Sequence, residues 1–148
     1  MKMQRKKVPV VMQMEALECG AASLSMILAY YGKWLPLPRV RTELGVSRDG
    51  VSAMSIVRGA RSFGMEGKGF RYGLDSLKTK ITLPCILFWN GCHFVVLTGF
   101  GKKGAYINEP ASGAVVVPMD KFEKQYSGIA LEIVPGEHFE PSGRPTSV

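Results

Sequence analysis

The first part of the chain has the hydrophobic spacing of α-helices. Apolar residues recur every three or four positions in three segments, so each segment carries one apolar face. The predicted helices cover residues 19–31, 38–44 and 52–63. Each is followed by a glycine of the kind that commonly ends a helix: Gly32, Gly45 and Gly64. The apolar faces indicate that these helices are packed inward.

Beyond Gly64 the pattern changes to short runs rich in β-branched and aromatic residues. Turn-forming residues separate these runs, which predict strands near 68–71, 82–89, 93–100, 105–109, 114–117 and 129–134. A further short helix is expected over 119–126, before the last strand. The predicted fold class is therefore α+β, with N-terminal helices packed on an antiparallel β-sheet.

One uncharged stretch has the length of a transmembrane helix. Residues 81–100 contain no Asp, Glu, Lys or Arg over 20 positions. Pro84 would break a helical hydrogen bond, Asn90-Gly91 is a strong turn signal, and the flanks are rich in strand-forming residues. We therefore predict two buried strands joined by a turn and no membrane span.

The length of 148 residues fits one globular domain. Periodic patterns persist to about residue 135, and the sequence from Gly136 onward gains Gly, Pro and Ser. We predict a single domain over 1–135, followed by a linker or disordered tail over 136–148.

Charge and cysteine content narrow the partners and the compartment. The net charge of +7 favours acidic partners, but the basic N-terminus lacks interleaved aromatic residues, so no nucleic-acid partner is predicted. Three cysteines argue against a disulfide framework and indicate reduced thiols in the cytoplasm.

Cys85, Cys92 and His93 lack zinc-site spacing, and no glycine-rich phosphate loop follows a strand. Neither a metal nor a cofactor is predicted.

Cys19 is the candidate nucleophile. It lies at the predicted N-terminus of the first helix, where free N–H groups and the helix dipole stabilise a thiolate. Its small neighbours Gly20, Ala21 and Ala22 would let a substrate backbone approach the sulfur. The alternative is a structural cysteine, a common fate of a buried thiol.

His93 is the candidate base for this thiol. The chain has two histidines, and His93 opens an apolar strand whereas His138 lies in the tail. Asn108 and Glu109, on the next predicted strand, could each accept the ring N–H of His93. Adjacent strand residues face opposite ways, so we expect only one of the two to do so. The alternative for His93 is a core histidine bonded to the backbone.

Gln13 is the candidate oxyanion donor. It precedes Cys19 by six residues, on the segment that leads into the helix. Its side-chain amide could reach the carbonyl oxygen that the Cys19 backbone N–H also approaches. The alternative is an exposed turn residue.

Four segments carry a family resemblance: VPVVMQMEALECGAASLSMILAYYGK, VSRDGVSA, HFVVLTGF and INEPASG. They resemble the double-glycine leader peptidases at the N-termini of bacterial ABC transporters that export bacteriocins and lanthipeptides. Within that family the chain looks most like the branch that serves nitrile-hydratase-like leader peptides. The resemblance covers Val8 to Pro135 and implies a papain-like fold. It also implies that Cys19 is the nucleophile, His93 the general base and acid, and Gln13 the oxyanion donor.

One position departs from the family pattern. The family usually has Asp directly before the proline of the last segment, where this chain has Glu109. Asn108, one residue earlier, would resemble the Cys-His-Asn arrangement of papain-like enzymes. Glu109 is preferred because it matches by position, with Asn108 as the alternative.

The resemblance implies a substrate and a setting. Such peptidases cleave ribosomal precursors after Gly-Gly or Gly-Ala, and their leaders are amphipathic helices that lie in an apolar groove. The candidate groove residues are Ala53, Met54 and Ile56, after the 48–50 loop, with ordinary core packing as the alternative. The implied partners are the leader peptide and the transmembrane and ATP-binding domains of an exporter, at the cytosolic face of the membrane.

Two other functions use the same residues. A leader-docking module would bind the precursor without cutting it, and an acyl transferase would pass the acyl group from Cys19 to an amine in place of water. The retained Cys19, His93 and Gln13 favour the peptidase over the docking module.

Overall fold

The computed structural model describes residues 5–47 and 50–145. A short 3-10 turn, Ala16–Glu18, leads into three helices: α1 (Cys19–Tyr30), α2 (Leu37–Leu44) and α3 (Ala53–Ser62). The rest of the chain is strand-rich, in the order β1 (Met65–Arg71), α4 (Leu74–Lys80), β2 (Cys85–Trp89), β3 (His93–Gly101), β4 (Gly104–Glu109), β5 (Gly113–Val117), α5 (Met119–Gln125) and β6 (Tyr126–Pro135). The predicted order of helices first and a sheet afterwards is confirmed.

The strands form one six-stranded sheet in the order β1-β6-β2-β3-β4-β5. All neighbouring strands pair antiparallel. Strand β3 therefore lies between β2 and β4, which puts His93 at the start of a central strand and Glu109 at the end of the adjacent one. Because β3 and β4 run antiparallel, the start of β3 and the end of β4 lie at the same end of the sheet.

The central strands of the sheet are buried on both faces. Neighbouring residues Ile86 and Leu87 point to opposite sides, the first into the core shared with helices α1 to α3 and the second into a core with α4 and α5. Val96 and Leu97 alternate in the same way on β3. This two-sided burial explains why residues 81–100 carry no charge. Within the described ranges, no helix is both long and apolar enough to span a membrane.

Two features differ from the sequence predictions. Helix α4 (Leu74–Lys80) was not predicted, because it has only 7 residues and buries the single side chain Leu77. The expected linker or tail also differs, because residues 136–145 lie against the domain. The backbone N–H of Gly136 donates to Gly64, and the Ser142 N–H donates to Gly32. The last three residues of that predicted tail lie outside the described part.

Candidate active site

Cys19 is the first residue of helix α1 and is buried, with 8% of the residue exposed. Helix α1 lies against strand β3, so the start of the helix faces the strand that begins with His93. The next residue, Gly20, has no room for a side chain, because a Cβ atom there would lie 2.3 Å from Val51 Cγ1. The space beside Gly20 is therefore filled by the side chain of Val51. From the sequence, a substrate backbone was expected to use this space.

His93 links Cys19 to Glu109. Its Nε2 atom hydrogen-bonds Glu109 Oε1, and both side chains are about one-fifth exposed. Its imidazole also interacts with the Cys19 thiol. Since Nε2 is engaged by the carboxylate, Nδ1 is the ring nitrogen left for the sulfur. The three side chains therefore form a continuous series from thiol to imidazole to carboxylate.

The electrostatics of this series favour a charged pair. Burial alone raises the pKa of the Cys19 thiol, but hydrogen bonds from His93 and the backbone N–H of Phe94 outweigh it, so the pKa is lowered overall. The hydrogen bond with Cys19 raises the pKa of His93, and the nearby charge of Glu109 acts in the same direction, against burial. Both shifts favour a thiolate beside an imidazolium.

Glu109 is held at both carboxylate oxygens. Oε1 meets His93, and Oε2 accepts a hydrogen bond from the backbone N–H of Ala111. Asn108, the alternative partner, faces the other way: its side chain is buried and Nδ2 donates to the Val8 carbonyl at 3.0 Å. Alternation along β4 separates the two residues, so Glu109 and not Asn108 contacts His93.

Gln13 lies on a loop attached beside Glu109. Its backbone N–H donates to the carbonyl of Pro110 at 2.8 Å, and its Nε2 donates to the carbonyl of Glu15 at 3.2 Å. Its Oε1 atom is buried without a hydrogen-bond partner. A side-chain amide has two N–H hydrogens, and the bond to Glu15 uses one of them.

Comparison with known proteins identifies the family. The model of the Peptidase C39 family matches residues 7–138. The chain belongs to this family. The colicin V secretion/processing ATP-binding protein CvaB of Escherichia coli is 34% identical over 136 residues, which are 92% of this C39 chain and 19% of that protein. The transport/processing ATP-binding protein ComA of Streptococcus pneumoniae is 26% identical over 87% of the chain.

Solved structures agree with this assignment. A double glycine motif protease from an AMS/PCAT transporter, crystallised with its leader peptide, is 57% identical and has a TM-score of 0.86. The match covers 88% of the C39 chain and 94% of that structure. The peptidase domain of Streptococcus ComA is 21% identical with a TM-score of 0.80 and shares the fold. The predicted papain-like fold and the family resemblance are confirmed. The chain spans about a fifth of the length of the curated relatives, 19% for CvaB.

A cavity of about 580 Å³ opens beside the His93–Glu109 pair of the C39 domain. Trp89 and Ile107 supply apolar surface, and the exposed Cys92 lies on the rim. The third cysteine, Cys85, is fully buried on β2, and burial raises the pKa of its thiol. Cys19 is thus the cysteine that the fold brings to the imidazole.

The three candidate groove residues do not share one surface. Met54 is 57% exposed and Ala53 is half-buried, but Ile56 is fully buried among the core residues of α1 to α3. The prediction that Ile56 lines a groove is wrong, because the helical turn between positions 54 and 56 points its side chain inward. Positions 48 and 49 of the preceding loop lie outside the described residues.

Two backbone N–H groups complete the surroundings of the Cys19 thiol, and the sequence reasoning missed one of them. The N–H groups of Phe94 and Gly20 hydrogen-bond the Cys19 sulfur and help to lower its pKa. Gly20 follows Cys19 on the helix, so its contribution agrees with the helix-terminus argument. Phe94 comes from β3, and no side-chain pattern signals a backbone donor.

Proposed function

We propose that this chain is a thiol endopeptidase that removes leader peptides by cutting after a double-glycine-type motif. The observation that carries the proposal is the hydrogen-bonded series of Cys19, His93 and Glu109, within a chain of the C39 family. A thiolate held beside an imidazolium can attack an amide carbonyl at neutral pH. The leader-bound protease with 57% identity supports a leader peptide as the substrate.

The proposed reaction has two halves. The Cys19 thiolate attacks the scissile carbonyl while His93 donates its proton to the leaving amine, so the C–N bond breaks and a thioester remains. His93 then takes a proton from water, whose oxygen attacks the thioester. The C–S bond breaks, which releases the leader with a free carboxyl group and restores the Cys19 thiolate beside the imidazolium. Glu109 keeps the imidazole oriented through Nε2. The free N–H of Gln13 and backbone donors would stabilise the oxyanion.

Two physical arguments support the proposed substrate: the cleft excludes larger side chains next to the scissile bond, and the leader docks on exposed apolar side chains. A scissile bond that directly follows Gly-Gly or Gly-Ala fits a narrow cleft that rejects larger side chains. The leader would dock as an amphipathic helix against exposed apolar side chains such as Met54. The net charge of +7 favours acidic leaders. The nitrile-hydratase-like and lanthipeptide assignments stay predictions from the sequence resemblance.

The proposed setting is an exporter. The relatives are secretion/processing ATP-binding proteins several times longer than this chain. We place the domain with transmembrane and ATP-binding domains of such a transporter, at the cytosolic face of the membrane. There it would remove the leader while the precursor is exported.

The test is cleavage of a synthetic precursor with an amphipathic leader that ends in Gly-Ala, followed by mass spectrometry. We expect one cut directly after Gly-Ala and a leader with a free carboxylate. Replacing the last leader residue by valine in a matched peptide is expected to lower kcat/KM by at least about tenfold, because the larger side chain must enter a cleft suited to Gly or Ala. An amide product would favour the acyl transferase, and binding without a cut would favour the docking module.

Gln13→Ala is expected to lower kcat by about 10²–10³ with little change in KM, since an oxyanion donor acts mainly in the transition state. Steady-state cleavage of the Gly-Ala peptide measures this. Gln13→Glu keeps the size of the side chain but has no amide N–H, so it should lose as much activity. Full activity in the Glu variant would contradict an oxyanion role for Gln13.

A further inference from the structure

Glu18, the residue before Cys19, is a buried carboxylate. Its side chain is 4% exposed, and among the residues that the structure describes it is the only buried Asp, Glu, Lys or Arg. A buried carboxylate destabilises the fold unless its oxygens are hydrogen-bonded or ion-paired. The partners of Glu18 therefore indicate why a charge is kept next to the candidate nucleophile.

One oxygen of Glu18 holds the loop in front of the helix. Oε1 accepts hydrogen bonds from the backbone N–H groups of Met14 and Glu15, both at 2.8 Å. The other oxygen, Oε2, lies 3.6 Å from Nη1 of Arg41 on helix α2, and the same nitrogen lies 3.2 Å from Glu15 Oε2. The Glu18 carboxylate thus binds the loop in front of helix α1 and also contacts helix α2.

These bonds continue to the amide of Gln13. The backbone N–H of Glu18 donates to the carbonyl of Glu15 at 3.1 Å, so Glu18 holds both the N–H and the C=O of that residue. The same Glu15 carbonyl accepts Nε2 of Gln13 at 3.2 Å. The backbone of Glu15 therefore links the Glu18 carboxylate to the side-chain amide of Gln13. The Oε1 atom of that amide is buried without a hydrogen-bond partner.

We propose that Glu18 is a positioning residue that aims the Gln13 amide at the substrate oxyanion through the Glu15 backbone. The proposal rests on the proposed peptidase function. Glu18 acts through Gln13 and does not itself meet the substrate. Misplacing a donor by about 1 Å can cost about 10²-fold in rate, so the loss of Glu18 approaches the loss of Gln13 itself.

A double-mutant cycle tests this. Glu18→Leu fills the buried volume but removes the acceptor, and Glu18→Gln keeps one oxygen that can accept both N–H groups. In the wild-type background we expect Glu18→Leu to lower kcat by about 10-fold to 100-fold, and Glu18→Gln to recover most of that loss. In the Gln13→Ala background, Glu18→Leu should change kcat by less than about twofold. Glu43→Leu, an exposed position on helix α2, is the matched control and should keep full activity.

A second readout separates positioning from general damage. The alkylation rate of Cys19 by iodoacetamide, mapped by peptide mass spectrometry, should be unchanged in Glu18→Leu, because the contacts of the thiol are with His93, Phe94 and Gly20. Equal losses of kcat in both Gln13 backgrounds, or a parallel loss of alkylation, would overturn the proposal. If the Glu18→Leu protein fails to fold, the Glu18→Gln variant decides the test. A full loss of kcat in Glu18→Gln would also overturn the proposal. A wild-type chain that does not cut the Gly-Ala peptide would refute the proposed function instead.

Discussion

Cys19→Ala is expected to abolish cleavage of the Gly-Ala precursor while leaving leader binding unchanged. The substitution removes the sulfur that forms the thioester, and the remaining donors cannot replace a covalent step. We expect kcat/KM to fall by about 10⁴-fold or more. Product formation followed by mass spectrometry measures the loss, and fluorescence anisotropy of a labelled leader measures binding. The small size of the change at the start of helix α1 leaves the docking surface intact.

Cys85→Ala is the matched control for that experiment. Cys85 is fully buried on β2, and burial raises the pKa of its thiol, so it cannot serve as a thiolate nucleophile. This variant should lower the melting temperature by a few degrees through lost packing and keep its cleavage rate. A Cys19→Ala protein that still turns over, or a Cys85→Ala protein that folds but does not, would contradict the assignment of the nucleophile.

The fold could be predicted where the signal was periodic. The apolar stripes of α1 to α3 and the uncharged strands β2 and β3 follow directly from burial of one helix face or of both sheet faces. Helix α4 could not be predicted, because a single buried leucine in seven residues gives no hydrophobic periodicity. The docking of residues 136–145 depends on backbone hydrogen bonds to Gly32 and Gly64, which leave no mark on side-chain composition.

The site was predictable to the extent that its chemistry uses rare residue types. With two histidines and three cysteines in the chain, the pairing of Cys19 with His93 had few alternatives. The choice between Asn108 and Glu109 needed the strand register, because both residue types can orient an imidazole. Glu18 could not be found at all, since a glutamate is normally exposed and its partner Arg41 is brought near only by the fold.

His93→Ala is expected to shift the reactivity of Cys19 to higher pH. In the wild type, contacts with His93 and Phe94 lower the pKa of the thiol, so iodoacetamide alkylation should persist well below the ordinary titration range of cysteine. Removing the imidazole deletes a hydrogen bond and a positive charge that favour the thiolate. The midpoint of the alkylation rate against pH must therefore rise. His138→Ala, an exposed position near the C-terminus, should leave the midpoint unchanged.

The same substitution should remove the bell-shaped pH dependence of cleavage. Turnover requires the thiolate, which is lost as pH falls through the lowered pKa of Cys19, and the imidazolium, which is lost as pH rises through the raised pKa of His93. We expect cleavage by the His93→Ala variant to fall by about 10²–10⁴, with any residual rate rising steadily with pH as the thiol ionises. Retention of the alkaline limb in this variant would assign that limb to a group other than His93. An unchanged alkylation midpoint would show that His93 does not stabilise the thiolate.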